Sequence, residues 1–262
     1  MDNKQKRLVI RVSRSSLSFS MTTDSDITYE PYALNSSISM AANLREALRT
    51  VPMLSEHFER VLVMVDSLTL MVPADLFVES ERDQMYHHAF TGQEQQIVMH
   101  TVLPDLNAVA LFSVQKDLRT VLNDRFDGVR YTAAMAPVWR HLHQRSFTGH
   151  RNKLYGYFHS KRLDLFSFQQ NRFKFCNSFE ASHAYDALYF LLYTWKLLRL
   201  EAEHDELHVM GDIPEQEWLL KELKRYLQKA YVINPTADFQ QAAVTKIPGM
   251  PYDLMTLLVK GR

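Results

Sequence analysis

Glycine is scarce in this 262-residue chain, which contains seven where average usage would supply about 18. The seven are widely spaced, so the glycine pairs of a Walker A loop and of the GxGxxG dinucleotide fingerprint are both missing. Those pairs let backbone approach phosphate where a Cβ would collide. The scarcity therefore excludes P-loop NTPases and GxGxxG dehydrogenases.

The chain is also poor in cysteine, and it has neither an excess of one charge nor a long apolar run. The single cysteine, Cys176, permits no internal disulfide and no thiolate metal cluster. Thirty basic residues balance thirty acidic ones, which disfavours dedicated nucleic-acid binding. The apolar segment 187–200 is too short to span a bilayer, and the run 8–10 is too short for a secretory signal. We expect a cytoplasmic protein without membrane insertion.

Hydrophobic periodicity predicts two similar halves. The first half contains, in order, strands or helices at Leu8–Ser13, Leu17–Met21, Ile27–Leu34, Ser39–Val51 (helix) and Arg60–Val65. The second half repeats that order at Leu154–Phe158, Leu163–Phe168, Asn171–Phe179, His183–Glu201 (helix) and Glu206–Met210. Leu8 and Leu154 lie 146 residues apart, and so do Asp66 and Asp212. One constant offset across several elements indicates an internal duplication.

We therefore expect an α/β protein of two domains, residues 1–147 and 148–262, each with a mixed sheet flanked by helices. Residues 66–147 of the first domain should hold most of the unrepeated material, including an inserted β-hairpin around 96–113. The pattern in this region also predicts a helix near 74–89, a helix at 114–122, a strand at 129–133 and a helix at 135–144.

A duplicated strand–hairpin–strand–helix–strand–helix unit resembles the actin-like ATPase superfamily, whose domains have a ribonuclease H-like fold. More closely, the chain resembles an uncharacterised bacterial family with that fold and no assigned activity. The segments carrying the closer resemblance are Phe173–Phe179 and Leu207–Asp212. The resemblance implies an actin-like ATPase fold over essentially the whole chain.

In the superfamily, ATP lies between the domains, and the first hairpin turn of each domain carries Asp-x-Gly, with its acid directed towards hydrated Mg²⁺. At the matching positions this chain has Arg11–Val12–Ser13 and Tyr157–Phe158–His159. A cationic arginine cannot serve as a Mg²⁺ ligand. The resemblance therefore implies the fold without its usual metal anchors, and we expect no catalytic residues, no metal site and no cofactor, with ATP as the alternative.

The two turns nevertheless carry cations and hydroxyls that could hold an anion without a metal. Gly211 also matches the first glycine of the superfamily's adenosine-binding Gly-Gly, although Asp212–Glu215 equally fits a helix start with Asp212 as N-cap. The residues of this candidate anion or nucleotide cleft are Arg11, Ser13, Arg14, Ser15, Ser16, His159, Ser160, Lys161, Arg162, Gly211 and Asp212. The alternative is that the hairpin tips are exposed to solvent and bind no anion. The chain's own carboxylates could also neutralise the cations, with Asp164 and Asp212 as candidates.

Other constellations are weaker. Cys176 and His183 could form a dyad, but the thiol alternates with phenylalanines and is expected to be buried and inert. Five further histidines are expected to be structural instead of metal ligands: His141, His143, His150, His204 and His208. Four aromatic residues decorate the long second-half helix, where core packing is expected: Tyr185, Tyr189, Tyr193 and Trp195.

Two functions remain open. The first is a non-catalytic actin-like protein that binds a protein partner as a scaffold or adaptor. The second is a nucleotide-binding ATPase or switch with a non-standard site between the domains. The missing acids favour the first, since fold membership supplies no activity when site residues are absent. The sequence predicts no particular oligomeric state.

Overall fold

The computed structural model describes residues 6–23, 26–146, 151–169 and 172–260. The chain divides into two compact units, one of residues 1–103 with 109–136 and the other of residues 104–108 with 137–262. The expected boundary between residues 147 and 148 lies outside the described residues. The domain ranges 1–147 and 148–262 stay a prediction.

The first unit is built on a five-stranded mixed sheet. Its helices and strands, in chain order, are β1 Arg7–Val12, β2 Leu17–Thr22, β3 Ile27–Tyr32, α1 Met40–Thr50, β4 Arg60–Val65, β5 Thr69–Pro73, α2 Arg82–Ala89, β6 Gln96–Leu103, β7 Ala108–Gln115, α3 Lys116–Arg125 and β8 Arg130–Ala133. The strand order is β3-β2-β1-β4-β8. Strands β1, β2 and β3 form an antiparallel meander, while β1, β4 and β8 are parallel.

The second unit repeats this topology. Helix α4 spans Ala136–Ser146. The elements that follow are β9 Lys153–His159, β10 Arg162–Gln169, β11 Arg172–Glu180, α5 Ala184–Leu197, β12 Glu206–Gly211, α6 Gln216–Leu223, β13 Ala230–Val232, α7 Pro235–Asp238 and α8 Tyr252–Lys260. The sheet order is β11-β10-β9-β12-β13, with an antiparallel meander and two parallel pairs. The predicted α/β class with mixed sheets is confirmed.

The register of the parallel strands repeats at the offset read from the sequence. Arg11 lies opposite Met64 between β1 and β4, and Tyr157 lies opposite Met210 between β9 and β12. Each of these positions differs by 146 residues from its counterpart. Because a slip of one residue would turn every side chain to the other face, equal registers give Arg11 and Tyr157 equivalent places in their sheets.

Apolar strands and amphipathic helices bury each sheet. In the first unit Ile10, Phe19 and Val63 of the strands and Leu44 of α1 have no exposed surface. In the second unit the core includes Leu163, Leu191, Val209 and Leu219, from β10, α5, β12 and α6. Helix α1 begins where the sequence predicts, because the Ser39 hydroxyl accepts from the Ala42 amide as an N-cap.

The unrepeated segment of the first unit forms a small sheet of its own, in the order β5-β7-β6. Tyr86 of α2 is fully buried beneath it and donates from its hydroxyl to the Leu68 carbonyl at 2.9 Å. The expected helix over 74–89 is wrong in its first half. Residues 74–76 and 79–81 are separate 3₁₀ turns, because Phe77 and Val78 between them adopt extended backbone. Only α2 is α-helical.

Helix α5 departs from the expectation of core packing. Trp195 is buried, but Tyr185, Tyr189 and Tyr193 are 68%, 61% and 52% exposed. The helix covers its sheet with a narrower face that includes Ala187 and Leu191. The three tyrosines lie on the opposite side of the helix. Among the described residues, no helix has the length and apolar character needed to cross a membrane.

Candidate functional site

The first hairpin turn is organised around a buried arginine. Arg11, the penultimate residue of β1, is 2% exposed, and its Nη1 donates to Ser16 Oγ at 3.2 Å. Ser13 Oγ lies 2.7 Å from Ser16 Oγ and also accepts from the Ser15 amide. The Ser13 amide donates to the Ser16 carbonyl at 2.9 Å, which closes the turn. These serines hold the turn and the guanidinium together.

A carboxylate from the neighbouring strand completes this cluster. Asp66 directly follows β4, and its Oδ2 lies 3.8 Å from Arg11 Nη2, with both side chains almost fully buried. The Asp66 amide donates to the Val12 carbonyl at 2.8 Å. Since β1 and β4 are parallel neighbours, their carboxyl ends meet at one edge of the sheet and place the two charges together. The arginine therefore has its counter-charge within its own unit.

The second hairpin turn is tighter. Ser160 and Lys161 link β9 to β10 with φ values of 49° and 61°, the signature of a two-residue type I′ turn. Below it, Asp164 is buried, and its Oδ2 lies 2.6 Å from His159 Nε2 and 3.6 Å from Arg162 Nη2. Its Oδ1 accepts a hydrogen bond from Ser178 Oγ. Asp164, which the sequence predicts as an internal counter-charge, is thus paired with His159 and Arg162 beside the turn.

Tyr157 occupies the place in the second sheet that Arg11 occupies in the first. Its ring is buried and stacks on His159, with centroids 4.5 Å apart and an interplanar angle of 20°. Its hydroxyl accepts from the Asp253 amide at the start of α8, at 3.4 Å. Helix α8 therefore fixes the tyrosine from the carboxyl-terminal end of the chain.

Gly211 is required by this packing. Its φ is +89°, and a Cβ there would lie 2.1 Å from the Phe158 carbonyl oxygen and 2.8 Å from the Tyr157 ring. The glycine therefore permits a close approach of β12 to β9 within the unit. Asp212 follows at the exposed end of β12, with its amide bonded to the Phe158 carbonyl.

The expected N-cap role of Asp212 is wrong. Helix α6 begins at Gln216, and its N-cap position is Glu215, in the left-handed region at φ 43° and ψ 48° with no side-chain cap. Residues 212–215 form a turn before the helix instead of its first turn. Proline at position 214 fixes φ locally but here precedes the helix by two residues.

The predicted cleft residues fall into two groups, one in each unit. The first unit holds Arg11, Ser13, Arg14, Ser15 and Ser16. The second holds His159, Ser160, Lys161, Arg162, Gly211 and Asp212. Each group is brought together within its own unit by the hairpin and the adjacent parallel strand, and a joint cleft stays a prediction.

These residues do not fit a magnesium–nucleotide complex of the kind the fold resemblance implies. Mg²⁺ takes oxygen ligands in near-octahedral geometry, yet the two equivalent positions carry a guanidinium and a buried phenol. The carboxylates nearest the turns, Asp66 and Asp164, are each paired with an arginine.

Residues 1–230 of this chain match the model of a protein family described as "Protein of unknown function (DUF3822)". The chain belongs to the DUF3822 family. This match ends before α7 and α8, so Asp253, which contacts Tyr157, lies beyond the matched region. No curated protein matches the chain.

Solved structures establish the fold. A protein from Bacteroides thetaiotaomicron VPI-5482, described as having an actin-like ATPase fold and unknown function, superposes with a TM-score of 0.83 at 29% identity, covering 94% of this chain and 99% of that one. A structure of the PilM–PilN type IV pilus biogenesis complex superposes with a TM-score of 0.63 at 10% identity, covering 97% and 98%. The predicted actin-like ATPase fold and the resemblance to an uncharacterised family are confirmed.

The alternative constellations resolve into packing and ion pairs. Within the described part of the chain, no hydrogen bond joins Cys176 to His183, and no cluster of three or more metal-ligating side chains occurs. Cys176 as a residue is half-buried instead of fully buried as expected. Burial of its thiol nevertheless raises the pKa of that group, and the carboxylate of Asp164 raises it further. His143 lies edge-on to Phe168 at 5.2 Å.

Three further histidines have carboxylate partners. His141 Nε2 lies 2.9 Å from Asp238 Oδ2, His204 pairs with Glu201, and His208 pairs with Glu206. Burial, together with the charges of Arg145 and Lys153, lowers the pKa of His208 below its ordinary value despite the hydrogen bond and charge of Glu206. His150 lies outside the described residues.

Sequence reasoning missed two contributors to the turns. Ser178 reaches Asp164 because β10 and β11 pair in a register that places the two residues opposite each other. Asp253 reaches Tyr157 from a helix that the sequence pattern did not predict. Asp66 could have been found, because it shares the repeat offset with Asp212 and directly follows a strand parallel to the one that carries Arg11.

Proposed function

We propose that this chain is a pseudo-ATPase of the cytoplasm: a non-catalytic protein with an actin-like fold that works by binding a protein partner as a scaffold or adaptor. The observation that carries the proposal is the replacement of both metal-anchoring positions by buried side chains with partners of their own. Arg11 is tied to Asp66 and Ser16, and Tyr157 is packed against His159 and Gly211.

The electrostatics of the first turn support this proposal. Phosphoryl transfer depends on metal ions that bridge phosphate oxygens and on an oriented water. A buried guanidinium at the position of the superfamily's metal anchor would repel a divalent cation, and freeing Asp66 to bind one would break its buried ion pair with Arg11. Breaking a buried ion pair costs several kcal/mol. The turn is therefore more stable as an internal ion pair than as a metal site.

ATP turnover tests the proposal directly. Purified protein with Mg²⁺ and ATP should release phosphate no faster than a protein-free control. Asp212→Asn is the informative variant, because this exposed acid at the end of β12 can be changed without disturbing a buried contact. Turnover that copurifies with the chain and falls in Asp212→Asn would establish the alternative, an ATPase with a non-standard site.

Binding without turnover needs a separate measurement. A ligand that binds only the folded state raises its melting temperature. We expect no rise with ATP, with or without Mg²⁺. A rise with ATP that persists in Asp212→Asn but is lost in Lys161→Ala would indicate a nucleotide-binding switch and overturn the scaffold proposal.

The predicted anion cleft is tested with inorganic phosphate in the same assay. The exposed cations Arg14 and Lys161 are the residues to change, with the exposed Lys224→Ala as control. If the cleft exists, phosphate stabilises the wild type at low salt, and the effect fades as ionic strength rises, because exposed charges are screened over about 8 Å at physiological salt. If phosphate raises the melting temperatures of Lys161→Ala and Lys224→Ala equally, the predicted anion cleft does not exist.

A further inference from the structure

Helix α5 presents a continuous apolar row to solvent. Tyr185, Tyr189, Tyr193 and Leu197 follow one another at intervals of four residues and are 68%, 61%, 52% and 55% exposed. Residues four apart form a ridge along one side of a helix. We call these four residues the α5 tyrosine stripe. Contiguous exposed apolar surface of this kind typically marks an interaction site.

The three tyrosines of the stripe pack against other aromatic rings of the same chain. Tyr185 packs against Trp218 of α6 with ring centroids 4.3 Å apart, and Tyr189 stacks on Tyr193 at 5.9 Å and 13°. Side chains held in place in the free protein lose little conformational entropy on association. Tyrosine is also enriched at protein interfaces, because it combines a large apolar ring with a polar tip.

The two ends of the stripe carry opposite charges. Asp186 and Glu217 lie at the amino-terminal end, where Glu217 is next to the Trp218 that contacts Tyr185. Lys196 and Arg199 lie at the other end. All four side chains are exposed. An identical stripe running in the opposite direction would place its basic end over this acidic end, and its acidic end over this basic one. The surface is thus complementary in charge to itself.

We propose that the α5 tyrosine stripe binds the same stripe of a second copy of this chain, with the two α5 helices antiparallel. The contact is isologous, so it closes a pair and does not propagate into a filament. It is independent of whether a nucleotide binds either unit.

The available area sets the expected strength. An aromatic side chain buries about 150–250 Å², so the four exposed side chains offer roughly 400 Å² on each copy. With the flanking Asp186, Lys196 and Trp218, the pair approaches the lower limit of about 1,200 Å² for stable interfaces. The dimer is therefore expected to dissociate in the micromolar range and to depend on concentration.

Sedimentation velocity of the full chain at low salt, from roughly 1 to 200 µM, tests the stripe. The wild type should shift from monomer to dimer across this range, and Tyr189→Ser/Tyr193→Ser should stay monomeric. Leu76→Ser is the matched control, because Leu76 is 63% exposed in the other unit. A wild type that stays monomeric throughout, or a double tyrosine variant that associates like the wild type, overturns the proposal.

Charge reversal tests the antiparallel direction. Asp186→Lys/Glu217→Lys makes both ends basic, and Lys196→Glu/Arg199→Glu makes both ends acidic. Each variant alone should dimerise about tenfold more weakly than the wild type, since like charges then meet at both ends. A one-to-one mixture of the two should recover the affinity, which also shows that both variants are folded. A mixture that associates no better than its components contradicts the antiparallel pairing.

Discussion

Arg11 Nη2 lies 3.8 Å from Asp66 Oδ2 at the edge of the first sheet, and the two side chains are 3% and 2% exposed. The pair joins the end of β1 to the residue after β4. The Ser16 hydroxyl accepts a hydrogen bond from Nη1 of the same guanidinium. A buried ion pair adds little stability relative to well-packed apolar residues, but breaking it by removing one partner is costly. The pair therefore makes Arg11 a structural residue of the turn.

Removing Arg11 should destabilise the protein strongly. Arg11→Ala breaks the buried ion pair with Asp66 by removing one of its partners, and we expect the free energy of unfolding to fall by about 3–5 kcal/mol. Arg7→Ala, at the exposed start of the same strand, should change it by less than about 0.5 kcal/mol. Urea unfolding of both variants provides the comparison.

The double variant Arg11→Met/Asp66→Leu separates charge from packing. If the loss in Arg11→Ala comes from breaking the ion pair, replacing both charges by apolar residues should restore most of the stability. A double variant as unstable as Arg11→Ala would show that the arginine acts through its packing instead.

Gly211→Ala should be far more damaging than an alanine at an uncrowded glycine. Its Cβ would meet the Phe158 carbonyl oxygen at 2.1 Å, and its φ of +89° is unfavourable for alanine, so we expect a loss of about 3 kcal/mol or more. Gly128 has φ +63° but no atom within 4 Å of the place an alanine Cβ would take, so Gly128→Ala should cost only about 1 kcal/mol. Similar losses in the two variants would show that backbone conformation, not crowding, decides the effect.

Asp238 should make stability depend on acid pH. Burial favours a raised pKa, but hydrogen bonds from His141 and Tyr252, with the charge of Arg145, lower the pKa of this carboxyl overall. A carboxyl whose pKa is lower in the folded state stabilises the protein above its unfolded pKa of about 3.9, and that stability is lost as pH falls below this value.

Asp238→Asn checks this expectation. At pH 7 it should lose about 2–3 kcal/mol, because the partners of a buried charged acceptor are left poorly satisfied. Its stability should also fall less steeply than that of the wild type between about pH 4 and pH 2. The exposed Asp75→Asn serves as control. Parallel pH profiles for the wild type and Asp238→Asn would show that other acids govern the acid transition.

Cys176 should be an unreactive thiol. Its raised pKa leaves little thiolate at pH 8, and the thiolate is the reactive form. We expect its reaction with an aromatic disulfide reagent to be at least about 100-fold slower in the native protein than in urea. His183→Ala should leave the native rate unchanged. A slower reaction in that variant would revive the cysteine–histidine dyad.

The candidate site was predictable in part, for physical reasons that individual residues show. Alternation of apolar residues indicated the meander, and the place of Arg11 and Tyr157 followed from one offset between two similar halves. The partners of these residues were less accessible to sequence reasoning, because strand register decides them. Ser178 and Asp164 are 14 residues apart along the chain, and only the pairing of β10 with β11 brings them together.

The sequence by itself determined the α/β class, the repeated strand order and the absence of acids at both turns, since periodicity and residue type are local properties. Only the tertiary structure decided which charges neutralise each other and which face of α5 is covered. Parallel strands bring Asp66 to Arg11 across 55 residues of chain, and the spacing of apolar residues along a helix does not show whether a neighbour covers a given tyrosine. Tyr189 is therefore exposed and Trp195 buried on one helix, because burial depends on the elements that pack beside it.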